Sequence, residues 1–149
     1  MKVINRKVNF DYQILETLEA GIVLTGAEVK SVKTSKINLG ESFVRLVEDG
    51  AYLVNAHISP YKYADNTNYQ PQRSRQLLLH KKELLSLAKK MEGKNLTLIP
   101  TACYTKKGRI KLEIGLARGK KKWDKRETLK RRDLDRETAR ELKSGGARI

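Results

Sequence analysis

Apolar residues run out at Gly119. Residues 1–118 hold 51 of them and residues 119–149 only 7. That step limits what the chain can fold into, because only the first segment can remove enough apolar surface from water to build a core. The expected organisation is one domain over residues 1–118 and a tail over 119–149 that is disordered alone. Both parts are basic. The first carries 20 Lys and Arg against 11 Asp and Glu, the second 12 against 6, which together make the formal charge of +15. Such a field gathers polyanions, and nucleic acid comes first. A membrane surface comes second, but no amphipathic stripe is visible. The longest uncharged apolar stretch, Ala20 to Ala27, falls far short of the roughly 18 residues a spanning helix needs. The opening "MKVINRKVNFDY" lacks an apolar centre, so no secretory signal is expected. Cys103 stands alone, which excludes a disulfide framework and points to a reducing, cytoplasmic setting.

Within the first segment, "YQILETLEAGIVLTG" alternates and then runs apolar, as a strand does. Thr25 and Glu28 have the spacing of a capping box, so a short helix is expected to start there and to bury Val29 and Val32. "SFVRLVEDGAYLVNAHI" reads as two strands joined at Asp49-Gly50. The polar "SPYKYADNTNYQPQRSR" reads as a long exposed loop. A short strand in "QLLLH" precedes a helix near Lys81–Glu92, stopped by Gly93. A last hairpin joins "NLTLIPTACYT" to "RIKLEIGLAR" through "KKG". Several short strands with a helix early and another between strand groups imply a small, mostly antiparallel barrel. One of the oligonucleotide-binding type is the simplest member, although element order leaves other small barrels open.

Reaction chemistry is hard to find. His57, His80 and Cys103 lie at no metal-ligand spacing from one another, so no metal or cofactor is expected. His57 reads as a satisfied strand residue, and His80, at a strand-to-helix join, as a cap or an RNA-facing group. No phosphate-binding or dinucleotide glycine pattern occurs. Glu19 and Glu28, nine positions apart across a turn, give no spacing for acid–base work. The chain does not read as an enzyme.

Basic residues do cluster with aromatic and polar ones, in four places. These are Asn5–Lys7, Arg73–Arg75 beside three tyrosines, Lys106–Lys111, which includes Lys107, and the tail. Cations bind phosphates and flat rings stack on bases, so Arg73, Arg75, Lys107 and Lys111 are candidate RNA contacts. For any one cluster the alternative is an ordinary solvated face. In the tail, Glu127 with Arg131, Asp133 with Arg136 and Glu137 with Arg140 have helical pair spacing, worth about 0.2–0.5 kcal/mol each. Leu129, Leu134, Ala139 and Leu142 are too sparse for a core-facing stripe. The tail is therefore expected to become helical against a polyanion, with Trp123 placed to stack on what it meets.

Three blocks carry a resemblance that covers nearly the whole chain. "NRKVNFDYQILETLEAGIVLTGAEVKSVK", "SRQLLLHKKEL" and "GLARGKKKWDKRETLKRRD" resemble, in order and spacing, the SsrA-binding proteins, the bacterial partners of transfer-messenger RNA. The resemblance implies an oligonucleotide-binding barrel, free as a monomer, that binds the tRNA-like domain of that RNA. With elongation factor Tu it would carry the RNA to stalled ribosomes, the work of trans-translation. It further implies that Asn5, Arg6, Glu19, Gly21, Leu78 and Lys111 face the tRNA-like domain. In the tail, Gly119, Lys120 and Lys121 would act after delivery. Lys122, Trp123, Asp124, Lys125 and Arg126 would lie in the empty mRNA channel near the decoding centre. Trp123 stands where the family usually has Tyr or His. Two other readings predict different behaviour: a ribosomal protein or initiation factor would assemble with ribosomal RNA alone, and a nuclease would show metal-dependent turnover.

Overall fold

The computed structural model describes residues 1–119. It is built mainly of strands: β1 (Lys2–Ile4), β2 (Tyr12–Ile22), β3 (Ile37–Asn38), β4 (Phe43–Val47), β5 (Gly50–Val54), β6 (His57–Ile58), β7 (Arg75–Leu78), β8 (Thr97–Lys106) and β9 (Arg109–Gly119). Three helices interrupt them, α1 (Val8–Asp11), α2 (Gly26–Lys33) and α3 (Lys81–Met91). The main sheet runs β1-β8-β4-β5-β7-β2-β9, and β8 also pairs with β9. That second pairing closes a ring of antiparallel strands, with β1 lying on β8 outside it. This is the expected small antiparallel barrel with short flanking helices. Its interior is filled from every wall, by Ala20, Val44, Leu53, Leu77, Leu98, Leu112 and Ile114, with Val32 and Leu87 supplied by the helices.

Two bulges help the ring to close. Register slips between Pro100 and Ala102 on β8 and between Ile14 and Glu16 on β2. Proline has no N–H to give a ladder, so a slip beside Pro100 costs little, and bulges bend the strands that carry them. Between the two bulges lies Gly115, where a side chain would meet Ile14 at 3.0 Å and Thr101 at 3.1 Å.

Local signals act as read at several joins. Thr25 caps α2, its hydroxyl accepting from the Glu28 N–H while the Glu28 carboxylate accepts from the Thr25 N–H. Helix α3 ends one residue earlier than expected, with Glu92 as its cap and Gly93 following at φ +67°. The β8–β9 turn is one residue shorter than the expected "KKG": Lys106 already pairs with Arg109, and Lys107 and Gly108, both with positive φ, form a two-residue primed turn whose twist suits the strands.

Three expectations need correction. The β4–β5 turn is Glu48–Asp49, because Val47 pairs with Gly50 and glycine is the first residue of β5. After β5 the chain leaves the barrel, and His57–Ile58 pairs with β3 in a separate two-stranded sheet. The loop from Ser59 to Ser74 is not wholly exposed. The Ile58 N–H donates to Pro71 O at 3.0 Å, and the Tyr69 hydroxyl donates to Ile58 O at 2.9 Å, so its second half folds back on the barrel.

Candidate nucleic-acid interface

Strand register assembles a surface that sequence spacing could not. Lys2 pairs with Tyr104, Tyr104 with Lys111, Lys111 with Gly21, and Gly21 with Leu78. Directly opposed residues share a face, so these five form one row across β1, β8, β9, β2 and β7. The row lies outside the barrel, since their neighbours Cys103, Leu112, Ala20 and Leu77 point into the core. Glu19, two residues before Gly21, joins the same face. The expected site residues Glu19, Gly21, Leu78 and Lys111 are therefore brought together from three strands. Tyr104 and Lys2 were missed, although the turn at Lys107–Gly108 sets Tyr104 opposite Lys111 and could have revealed it.

The row has chemistry suited to an RNA surface. Leu78 is 57% exposed, unusual for a leucine on a barrel wall. Gly21 beside it leaves room: a Cβ there would stand 3.2 Å from Leu78 Cβ. Shallow depressions flank the leucine, one including Val29, Arg109 and Lys111, the other Asp49, His80 and Lys111. Beyond Lys111, the exposed Lys106, Lys107 and Arg109 crowd the end of the hairpin. Glu19 is the one acid the resemblance places here. Its Oε2 accepts from the Tyr104 hydroxyl and lies 3.4 Å from Lys106 Nζ. The Tyr104 bond holds its carboxyl below the usual carboxylate range, with Lys106 and Lys111 adding to the effect.

Other candidates lie elsewhere. Arg75 is corrected from an RNA contact to a core residue, because its side chain is fully buried. Its Nε and Nη2 donate to Glu28 Oε2 at 2.9 and 2.6 Å, Nη1 donates to Ala56 O at 2.7 Å, and Nη2 also to Pro71 O at 2.9 Å. A guanidinium so enclosed is not presented to a phosphate. Arg73 turns inward too, donating from Nη2 to Glu28 Oε1, with its side chain 33% exposed. Burial alone would push the Glu28 carboxyl up. Hydrogen bonds from Arg73, the Thr25 N–H and Arg75, with the charge of Arg75, outweigh it and hold the group at about 2. Asn5 is also buried, and its amide donates to Leu39 O and Pro100 O. It anchors the chain beside Arg6, which stands exposed in the turn between β1 and α1, outside the row.

Gly119 ends β9, exposed and paired with Tyr12. Lys120, Lys121, Lys122, Trp123, Asp124, Lys125 and Arg126 lie outside the described residues. Burial pushes the Cys103 thiol up to about 12, which suits an inert core cysteine. Among the described residues no group of three or more His, Cys, Asp or Glu could hold a metal ion, and no helix is long and apolar enough to cross a membrane.

Comparisons with known proteins agree with one another. A family model described as SmpB protein matches residues 2–144. An SsrA-binding protein of Syntrophotalea carbinolica is 51% identical over 139 residues, which is 93% of each chain. One from Latilactobacillus sakei is 50% identical over 93% of this chain and 89% of its own. A solved structure described as "tmRNA-SmpB: a journey to the center of the bacterial ribosome" superposes with a TM-score of 0.68 at 44% identity, covering 86% of this chain and 94% of the other. With a model spanning nearly the whole chain and relatives at this identity, the chain belongs to the SmpB family of SsrA-binding proteins.

Proposed function

We propose that this chain binds the tRNA-like domain of transfer-messenger RNA through the outer row of Lys2, Tyr104, Lys111, Gly21 and Leu78. Together with elongation factor Tu, as a monomer, it brings that RNA to stalled ribosomes in the cytoplasm. As an SmpB-family member it is an RNA-binding adaptor and not an enzyme. The tail from Gly119 onward then occupies the empty mRNA channel, with Trp123 to Arg126 near the decoding centre. The observation that carries the reading is the row itself. A lysine, an exposed leucine and a glycine gap from three different strands meet on one face. Lysine holds a phosphate, while an apolar side chain beside a bare backbone receives the flat face of an unstacked base. The relatives are called SsrA-binding proteins, and the solved neighbour is described by tmRNA, SmpB and the bacterial ribosome, which supports the same reading.

The test is gel-shift binding of the full chain to a tRNA-like fragment, with ordinary tRNA as competitor, at two salt concentrations. Generic charge binding discriminates RNAs poorly and weakens steeply with salt. Preference for the fragment that persists at higher salt is the expected result. Equal, salt-sensitive binding to both RNAs would overturn the proposal.

A further inference from the structure

One contact on the proposed RNA face crosses a strand. Tyr104 is on β8 and Glu19 on β2, with β9 between them, yet the Tyr104 hydroxyl donates to Glu19 Oε2. Two strand spacings are about 9.6 Å, so the phenol ring has to lie across β9. The register leaves it the gap between Lys111 and Glu113, since Tyr104 opposes Lys111, Glu19 opposes Glu113, and Leu112 between them points inward. Lys106 Nζ approaches the same Oε2 at 3.4 Å. Oε1 has no hydrogen-bond partner among the described residues. One oxygen of the carboxylate is tied down and the other is open.

We propose that Tyr104 is a positioning residue of the RNA site, holding Glu19 by Oε2 so that Oε1 faces outward to accept one N–H from the edge of an unstacked nucleobase. The inference rests on the RNA-binding reading above. A carboxylate that only accepts cannot bind a phosphate, which has no hydrogen to give and repels it. A base edge supplies N–H donors, and Leu78 in the same row offers its flat face an apolar surface. Glu19 is faced by Tyr104 and Lys106 from β8 and by Lys111 and Glu113 from β9. Burial first, and then the bond to Glu19, raise the Tyr104 phenol to about 12. The tyrosine therefore stays the donor and Glu19 the ionised acceptor throughout the physiological range.

The experiment uses the full chain with Tyr104→Phe, which removes the hydroxyl and keeps the ring. Binding to the tRNA-like fragment is expected to fall about tenfold, the size of a hydrogen bond to a charged group. In a Glu19→Gln background the same substitution is expected to add little, because the group it positions is gone. A carboxyl NMR titration of Glu19, without RNA, is expected to move up towards the ordinary carboxylate range in Tyr104→Phe. Unchanged affinity, a loss undiminished in the Glu19→Gln background, or an unmoved titration would each overturn the assignment. Failure of the wild-type chain to prefer the fragment over tRNA would sink the RNA reading instead, and the titration would still judge the Tyr104–Glu19 contact.

Discussion

Gly21 and Leu78 are direct partners across β2 and β7, and Leu78 stands out into solvent over a position that has no side chain. A Cβ at residue 21 would lie 3.2 Å from Leu78 Cβ and 3.3 Å from its Cδ1. The first atom is fixed by the backbone, so the strand or the leucine has to yield by a few tenths of an ångström. Gly21 has ordinary negative φ, since it is absent from the positive-φ glycines, and no backbone strain is added. Gly21→Val is therefore expected to leave the fold intact, with stability changed by about 1 kcal/mol or less. RNA affinity is expected to drop about tenfold, roughly 1.4 kcal/mol. Thermal melting beside gel shift separates the two effects, and equal loss in both would mean that Gly21 serves only the fold.

Glu28 and Arg75 form an ion pair with both side chains fully buried. The Glu28 carboxyl lies at about 2 in the fold against 4.5 ordinarily. A depressed carboxylate stabilises the folded state above its unfolded pKa, and that contribution fades as pH falls towards the folded value. Stability is thus expected to be flat above about pH 5 and to lose about 3 kcal/mol between pH 4.5 and 2 from this group alone. Urea titrations at stepped pH check it. Glu28→Gln is expected to cost about 3–5 kcal/mol at pH 7, because it leaves Arg75 charged and unpaired in the interior. It should also flatten the acid limb.

Much of the barrel was legible because its signals are local. Thr25 and Glu28 are three apart, Lys107 and Gly108 form a turn by themselves, and Gly93 follows the cap of α3, one residue past the expected end. What was hidden depends on distant partners. Glu28 caps its own helix, but its other role comes from Arg73 and Arg75, forty-odd residues away, and no spacing announces that. Strand β7 inverts the usual pattern: Arg75 faces in and Leu78 faces out. Reading Arg75 by its charge, as one of a basic cluster beside tyrosines, therefore misplaces it on the RNA surface. Leu78 as a site residue came from the family resemblance and not from its chemistry. The row at Tyr104 needed register, which follows only once β8, β9 and β2 are known to be neighbours.

Lys111 and Leu78 stand either side of Gly21 in the row, and their chemistry should separate in salt. Lys111→Ala removes one phosphate contact, so affinity is expected to fall and the slope of log affinity against log salt to shrink by about 1. Leu78→Ala removes only apolar surface. Its affinity loss should leave the slope unchanged. Fluorescence anisotropy across a salt series would show this, and matching slopes for both variants would mean that Lys111 does not touch a phosphate.

The barrel and the tail carry separable work if the proposed function holds. Cys103, Leu112, Ile114 and Leu116 belong to a core that is built entirely by residues up to Gly119 in the described structure. A chain ending at Gly119 is therefore expected to fold and to bind the tRNA-like fragment within a few-fold of the full chain, the remaining loss reflecting the removal of a +6 segment. It is expected to tag no peptides on stalled ribosomes. Trp123 then gives a finer test in the full chain. If its ring stacks on a base, Trp123→Tyr should keep most tagging and Trp123→Ala should lose it, since stacking is worth about 1–3 kcal/mol per base. Tagging that survives truncation at Gly119 would place the decoding function on the barrel. Survival in Trp123→Ala alone would leave the tail essential but assign its grip to Asp124, Lys125 and Arg126.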